Sequence, residues 1–261
     1  MRNPSNWLRG LVRHPVTVQN GYVNHAFPCG TLALDFLGTL RARRNPVPAE
    51  KLATPELLDD WFVESGMLDV APHADGADLA AAVELRESLY LLVEERLGGR
   101  AALAAASAAA AADLAGQAGP VGAGAAAPVG PAALAAAVEV LNRYAAEPPV
   151  TVRLEVAGGG VGSVAGGGAT GNNAAASIRR TGTAAQGLAA VAREAVEILG
   201  GPDAALLREC GRPECTQVYL DRSRGHRREW CAMRTCGNRV KVSAYRSRHR
   251  TSTPTPTTSH A

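Results

Sequence analysis

Apolar residues fall on helical stripes through most of this chain, alternate once, and lose their pattern in two long Ala/Gly stretches. Over 31–40, positions 32, 34 and 36 alternate while 33, 36, 37 and 40 have helical spacing, and the segment reads as a helix. The next helix is clearer. Thr54 can cap it, Pro55 suits its first position, Leu57, Leu58, Trp61 and Phe62 share a face, and Gly66 is a natural stop. A third is expected from about 78 to 97, on a stripe of Leu79, Val83, Tyr90, Val93 and Leu97 widened by Leu85, Leu89 and Leu92, ending at Gly98 and Gly99. Leu134, Val138, Leu141 and Ala145 mark a fourth, closed by Pro148 and Pro149. Val150, Val152, Leu154 and Val156 alternate with Thr151, Arg153 and Glu155, the pattern of a half-buried strand. A last long helix, about 184–199, carries Leu188, Val191, Ala195 and Ile198 on one face and stops at Gly200, Gly201 and Pro202.

These elements predict an α+β protein. A mainly helical N-terminal domain with a short β element occupies 27–200, and a small treble-clef or ribbon-like unit follows over 203–250. Residues 1–26 read as an irregular leader, about 99–131 as a loose Ala/Gly-rich insert whose alanine run could be helical, about 157–183 as a Gly-rich loop, and 251–261 as a disordered tail. The chain has 261 residues, enough for one large or two modest domains. With aromatics at only 4%, its core is expected to be aliphatic.

Cysteine and charge sharpen the reading of 203–250. Cys210 and Cys215, then Cys231 and Cys236, form two like-spaced pairs, and Cys29 stands apart. Four thiolates can hold one zinc ion tetrahedrally, with no position left for water, so the metal would be structural. A unit this short needs such a ligand to fold. His226 and His249 are the alternative ligands, and His226 sits in an Arg-rich turn. Val218–Leu220 and 228–230 are expected to pair as short strands, Gly237 to make the tight turn of a ligand loop, and a helix to run from near Asn238 toward Arg250.

From 208 to 250, eleven arginines and one lysine face four acids. That balance is +8 in a chain of net +3, and it leaves −5 for the rest. An acidic body with a basic end suits a phosphate-bearing partner. Arg222, Arg224, Arg227 and Arg228 lie between the pairs, and Asn238, Arg239, Lys241, Arg246, Arg248 and Arg250 follow the last cysteine. On a helix, 239, 246 and 250 share a face. The guanidinium fork matches phosphate oxygens and guanine edges, so DNA is the expected partner, with an RNA or protein adaptor as the alternative.

Enzymatic signatures are sparse. Asp35, Thr39 and Arg86 are polar positions in apolar stretches that could meet in a small-molecule pocket, with capping and ion pairing as the simpler role. There is no His-Glu metal motif, phosphate loop or nucleophile elbow, and Gly158, Gly159 and Gly160 run on into further glycines rather than a helix. The chain is therefore expected not to be an enzyme, and Cys29 to be a small buried thiol. Charges interrupt the apolar residues around Trp7, and the run 101–112 is too weakly hydrophobic to span a membrane. A cytoplasmic protein with no membrane partner is expected.

The segment from Cys210 through Trp230-Cys231-Ala-Met-Arg-Thr-Cys236-Gly237-Asn238-Arg239, with Tyr219-Leu-Asp-Arg-Ser-Arg224 inside it, resembles the CGNR zinc finger. Upstream, 32–40, Leu52-Ala-Thr-Pro-Glu56 and Leu85-Arg-Glu87 resemble the ABATE domain that precedes this finger in bacterial proteins. The resemblance covers most of 27–250. It implies a stress-induced transcription regulator, in which a sensor-like domain with an effector of unknown identity is joined to a DNA-binding finger. The family usually has Asn where this chain has Gly38.

Overall fold

The computed structural model describes residues 24–114, 130–156, 176–212 and 214–250. The expected leader up to residue 23, the stretch 115–129, the Gly-rich stretch 157–175 and the tail 251–261 lie outside them.

A six-residue helix, α1 (Leu32–Leu37), sits at the centre of the core. Thr31 caps it by accepting from the Leu34 amide, and Ala33, Leu34, Phe36 and Leu37 are all buried. Its first turn is closed from outside by the Glu194 carboxylate, which accepts from the Ala33 amide at 2.7 Å. Helix α2 (Pro55–Glu64) begins as its sequence requires, with Thr54 accepting from the Leu57 amide and proline in the first turn. It carries Trp61, whose ring meets Phe36 edge-on at 5.0 Å and Phe62 at 5.7 Å. Each such fully buried side chain contributes about 1.5–3 kcal/mol. Glu64 anchors the start of the described chain by accepting from the Asn24 and His25 amides.

Helix α3 (Gly76–Leu114) corrects one expectation. It does not stop at Gly98 and Gly99 but runs on into the alanine stretch expected to be loose. Each glycine costs a helix only about 1 kcal/mol relative to alanine, and the alanines that follow are the best helix formers. Its deep face is Ala82, Leu85, Leu89 and Val93, whereas Val83 is only half-buried. Helices α4 (Pro131–Ala146) and α5 (Ala184–Gly200) pack on each other and on α3. In α4 the buried residues are Ala137 and Leu141, while Val138 faces out. Gly187 lets α5 close on α2, because a Cβ there would lie 2.5 Å from the Phe62 ring.

Among the described residues, three small antiparallel sheets complete the fold, each of two strands. β1 (Leu40–Arg41) pairs with β2 (Ala49–Glu50). β3 (Thr151–Val156) pairs with β4 (Ala176–Thr181), in register from Thr151↔Thr181 to Val156↔Ala176. This ribbon corrects the expected half-buried strand: every β3 residue is exposed, because among the described residues no second layer covers either face. β4 was expected to be part of a loop. β5 (Leu207–Glu209) pairs with β6 (Val218–Leu220). The strand at 218–220 is therefore present, but its partner precedes Cys210 instead of lying at 228–230. A short 3₁₀ turn (Pro202–Leu206) leads from α5 into β5, and helix α6 (Asn238–Arg250) ends the described chain. Among the described residues, no helix is long and apolar enough to cross a membrane.

One buried cluster runs through all of this. Leu207, Val218, Tyr219, Leu220 and Cys210, Cys231 and Cys236 belong to the same core as α1, α2, α3 and α5.

Candidate metal centre and nucleic-acid interface

The four late cysteines come from two turns. Cys210 and Cys215 bracket the knuckle between β5 and β6, held by the Cys210 amide donating to the Gln217 carbonyl at 2.9 Å and the Cys215 amide donating to the Arg212 carbonyl at 2.8 Å. Cys231 and Cys236 bracket a wide π turn (Met233–Gly237) that winds directly into α6. All four sulfurs lie within 4.8 Å of one another, with Cys215 and Cys231 at 3.9 Å and Cys231 and Cys236 at 3.6 Å. A tetrahedron with zinc–sulfur bonds of about 2.3 Å has edges of about 3.8 Å, so the spacing fits the ion. It is far beyond the roughly 2.05 Å of a disulfide, and all four are free thiols. These cysteines form a zinc site, and four sulfurs leave no open position for chemistry on the metal.

As bare thiols the group is strained electrostatically. The hydrogen bond from Cys231 pulls the Cys215 thiol down to about 5 against the opposing effect of burial, and that same bond pushes Cys231 far upward. A divalent cation removes this conflict by neutralising thiolates together. The Arg212 guanidinium, 3.9 Å from the Cys236 sulfur and paired with Glu214, adds positive charge beside the cluster.

The loop between the pairs is organised by Asp221, which accepts from the Ser223 amide and hydroxyl and from the Arg228 amide. The Tyr219 hydroxyl donates to the Arg228 carbonyl. These bonds tie 228 into a loop and keep 228–230 from pairing as a strand. His226 turns its ring to the Asp221 carbonyl at 2.8 Å and is not among the grouped metal ligands. Gly237 is needed for close approach, not for an unusual backbone angle. It is not among the positive-φ glycines, and a Cβ there would lie 2.5 Å from the Met233 sulfur and 3.2 Å from the Trp230 ring.

Beside Cys236 opens a groove of about 450 Å³ lined by Arg234, Thr235, Asn238, Arg239, Val242, Ser243 and Arg246. The π turn carries helical winding back from α6, so Arg234 stacks one turn below Asn238, while Arg239, Val242 and Arg246 continue the wall along the helix. Among the described residues, Arg234, Arg239 and Arg246 have no acidic partner. Asn238 lines the groove and is exposed, and among the described residues no side-chain hydrogen bond ties it to the metal loop.

The other basic residues divide. Arg224 and Arg227 are exposed on the loop, Lys241 is exposed on α6, and Arg222 is paired with Asp203 at 2.6 Å. Arg228 turns inward. It donates to the Trp230 carbonyl at 2.8 Å and to the Cys231 carbonyl, and its guanidinium lies 4.3 Å from the centre of the Tyr219 ring. The side chains of Arg248 and Arg250 lie outside the described residues. Arg234, Thr235 and Ser243 are groove residues that sequence reasoning missed. The available signal was the four-residue step from Arg234 to Asn238, hidden by drawing the helix from 238.

Of the three polar residues in the body, two meet. Arg86 donates to the Thr39 hydroxyl at 3.2 Å, to both Glu50 oxygens at 2.7 Å and to Glu87 at 2.8 Å. Asp35 is engaged separately, accepting from the Cys29 amide at 2.8 Å. Burial, reinforced by the Asp35 charge, pushes the Cys29 thiol well above its ordinary range, and its sulfur donates to Gln217.

Residues 207–249 match the CGNR zinc finger family. Residues 30–132 match the ABATE family, described as a "putative stress-induced transcription regulator". No curated protein matches the chain.

Proposed function

We propose that this chain, with its ABATE-like and CGNR zinc-finger segments, is a DNA-binding transcription regulator that grips the duplex with the groove beside its zinc site. The observation that carries this reading is the convergence of Arg234, Arg239 and Arg246, free of carboxylates among the described residues, on one groove next to a zinc ligand. Uncompensated guanidinium groups repel one another, and a run of phosphates is the partner that neutralises them. Helix α6 has 13 residues. At about 1.5 Å per residue it is some 20 Å long, a rod that a major groove about 12 Å wide accepts. Asn238, at the head of the groove, would read an adenine edge. The body is the part that would receive a stress signal, and its shared core with the finger gives that signal a path. This is a non-catalytic reading, supported by the way Thr39 and Arg86 are occupied with each other and with Glu50. The same reading places the protein in the cytoplasm.

The test is fluorescence anisotropy of the zinc-loaded chain on duplex DNA across a salt series, with structured and single-stranded RNA in parallel. Three phosphate contacts give a slope of log K against log salt near −2.7, and Arg239→Ala with Arg246→Ala should flatten it by about 1.8. Affinity and slope unchanged in that double variant would rule the groove out. A preference for RNA would redirect the reading to an adaptor. Genome-wide mapping of bound sites then supplies the operator.

A further inference from the structure

The β3–β4 ribbon exposes large apolar side chains that nothing in the described structure covers. Val152 is 59% exposed, Leu154 72%, Val156 57% and Ile178 53%. By the register they share one face, with Val152 opposite Arg180 and Leu154 opposite Ile178. A lone two-stranded ribbon is marginal in water, and an open edge is a template for further pairing.

The two edges are not equivalent. On β4, the Asp69 amide donates to the Arg180 carbonyl and the Arg180 amide donates to the Asp69 carboxylate, so the outward groups of that edge are engaged at its end. Because Arg180 bonds outward, the strand-to-strand bonds fall at Thr181, Arg179 and Ser177, opposite Thr151, Arg153 and Glu155. The amides and carbonyls of Val152, Leu154 and Val156 therefore point out from β3, and among the described residues nothing receives them.

Charge adds a second demand. Arg153 lies directly opposite Arg179, a like-charge pair, and the nearby Glu155 is taken by Arg179 at 3.7 Å. Arg153 has no acidic partner among the described residues.

We propose that the free edge of β3 pairs antiparallel with the same strand of a second copy of this chain, with Leu154 on the two-fold axis. In that register the outward groups of Val152 meet those of Val156 of the partner subunit, and Leu154 meets Leu154 of the partner subunit. Arg153 then faces Glu155 of the partner subunit, on both sides of the axis. Moving the axis by one residue would set Arg153 against its own copy, or Glu155 against its own copy, so charge selects the Leu154-centred register. The product is a four-stranded sheet in which the apolar faces of the two ribbons run together, a closed two-fold contact.

The experiment is sedimentation equilibrium of the zinc-loaded full chain. Wild type self-associates to a dimer. Arg153→Glu and Glu155→Arg each put like charges opposite one another twice and raise the dimer Kd about tenfold or more. Mixing the two single variants recovers the dimer, since each supplies the charge the other lacks, and the double swap Arg153→Glu with Glu155→Arg dimerises with itself. Monomeric wild type, single variants that dimerise as tightly as wild type, or a mixture and a double swap that both stay monomeric would each overturn the proposal.

Discussion

Gln217, two residues beyond a zinc ligand, donates from Nε2 to the Gly38 carbonyl at the end of α1, 3.2 Å away and 179 positions earlier in the chain. Its Oε1 accepts from the Cys29 thiol at 3.3 Å. A Cβ on Gly38 would lie 2.2 Å from that same Oε1, so the carboxamide fills the space a side chain at 38 would take. The Arg43 amide donating to the Thr216 hydroxyl, and the Arg44–Glu209 ion pair, add to the seam. The zinc finger is thus docked on the body.

Gly38 has φ −73° and ψ 3°, an ordinary conformation for alanine, so Gln217 is the obstacle to substitution there. Gly38→Ala should cost about 1–3 kcal/mol by displacing a buried carboxamide from its hydrogen bonds. In a Gln217→Ala background the same change should cost little. Urea denaturation of the two single variants and the double variant measures the coupling directly. Additive costs would show that the two positions do not compete for one space.

Removing the metal should loosen the body as well as the finger, because the ligand cysteines and α1 share one core. Chelation, or Cys231→Ser, should raise hydrogen exchange in the α1 amides and lower the Tm of the whole chain in one transition. The metal content of the native protein should be one zinc per chain. If α1 stays protected while the finger unfolds, the two are energetically separate despite their contacts.

The parts legible in the sequence are those set by local chemistry. Thr54 and Pro55 announce α2, and the paired spacing of Cys210, Cys215, Cys231 and Cys236 announces the metal. What failed was set at a distance. Alternation in 151–156 correctly gives a strand but cannot say whether a second layer exists to bury Val152 and Leu154. Proximity in sequence suggested pairing 218–220 with 228–230, yet the knuckle at Cys210 and Cys215 delivers Leu207–Glu209 to that strand first. Arg228 and Arg234 look alike in a basic run. One is drawn inward by carbonyls and the Tyr219 ring, the other is left in the groove by a π turn that no periodicity rule anticipates.

Acid should weaken the body through Glu50 and Glu87. Burial raises both carboxyls, but it is outweighed, for Glu50 by Arg86 together with the backbone amides of Leu52 and Lys51 and for Glu87 by Arg43 then Arg86, and both are held below the ordinary range. A depressed carboxyl stabilises the fold above its unfolded pKa of about 4.3, and that contribution fades as pH falls through the lower folded value. Unfolding free energy should therefore drop below about pH 4. Arg86 is 2% exposed. Glu50→Gln, which strips it of one partner, should cost about 1–3 kcal/mol at pH 7 and flatten the acid limb. A pH series of urea midpoints checks both, and an unchanged acid limb in Glu50→Gln would show that this pair is not its source.

The arginines of the finger should separate into two kinds when each is removed. Arg228 satisfies the Trp230 and Cys231 carbonyls, reaches the Pro28 carbonyl at 3.4 Å and stacks on Tyr219. Its loss leaves partly buried acceptors unpaired beside a zinc ligand, so Arg228→Ala should lower stability by about 2–4 kcal/mol. The fraction that remains folded and zinc-loaded should bind duplex DNA with the wild-type salt slope, since this guanidinium never faces the groove. Among the described residues Arg234 has no acidic partner to lose, so Arg234→Ala should leave stability within about 0.5 kcal/mol and reduce the salt slope by about 0.9. Paired urea melts and anisotropy titrations on the two variants give four numbers. The opposite allocation, with Arg228→Ala flattening the slope and Arg234→Ala costing stability, would mean that DNA meets the loop face of the finger and not the groove along α6.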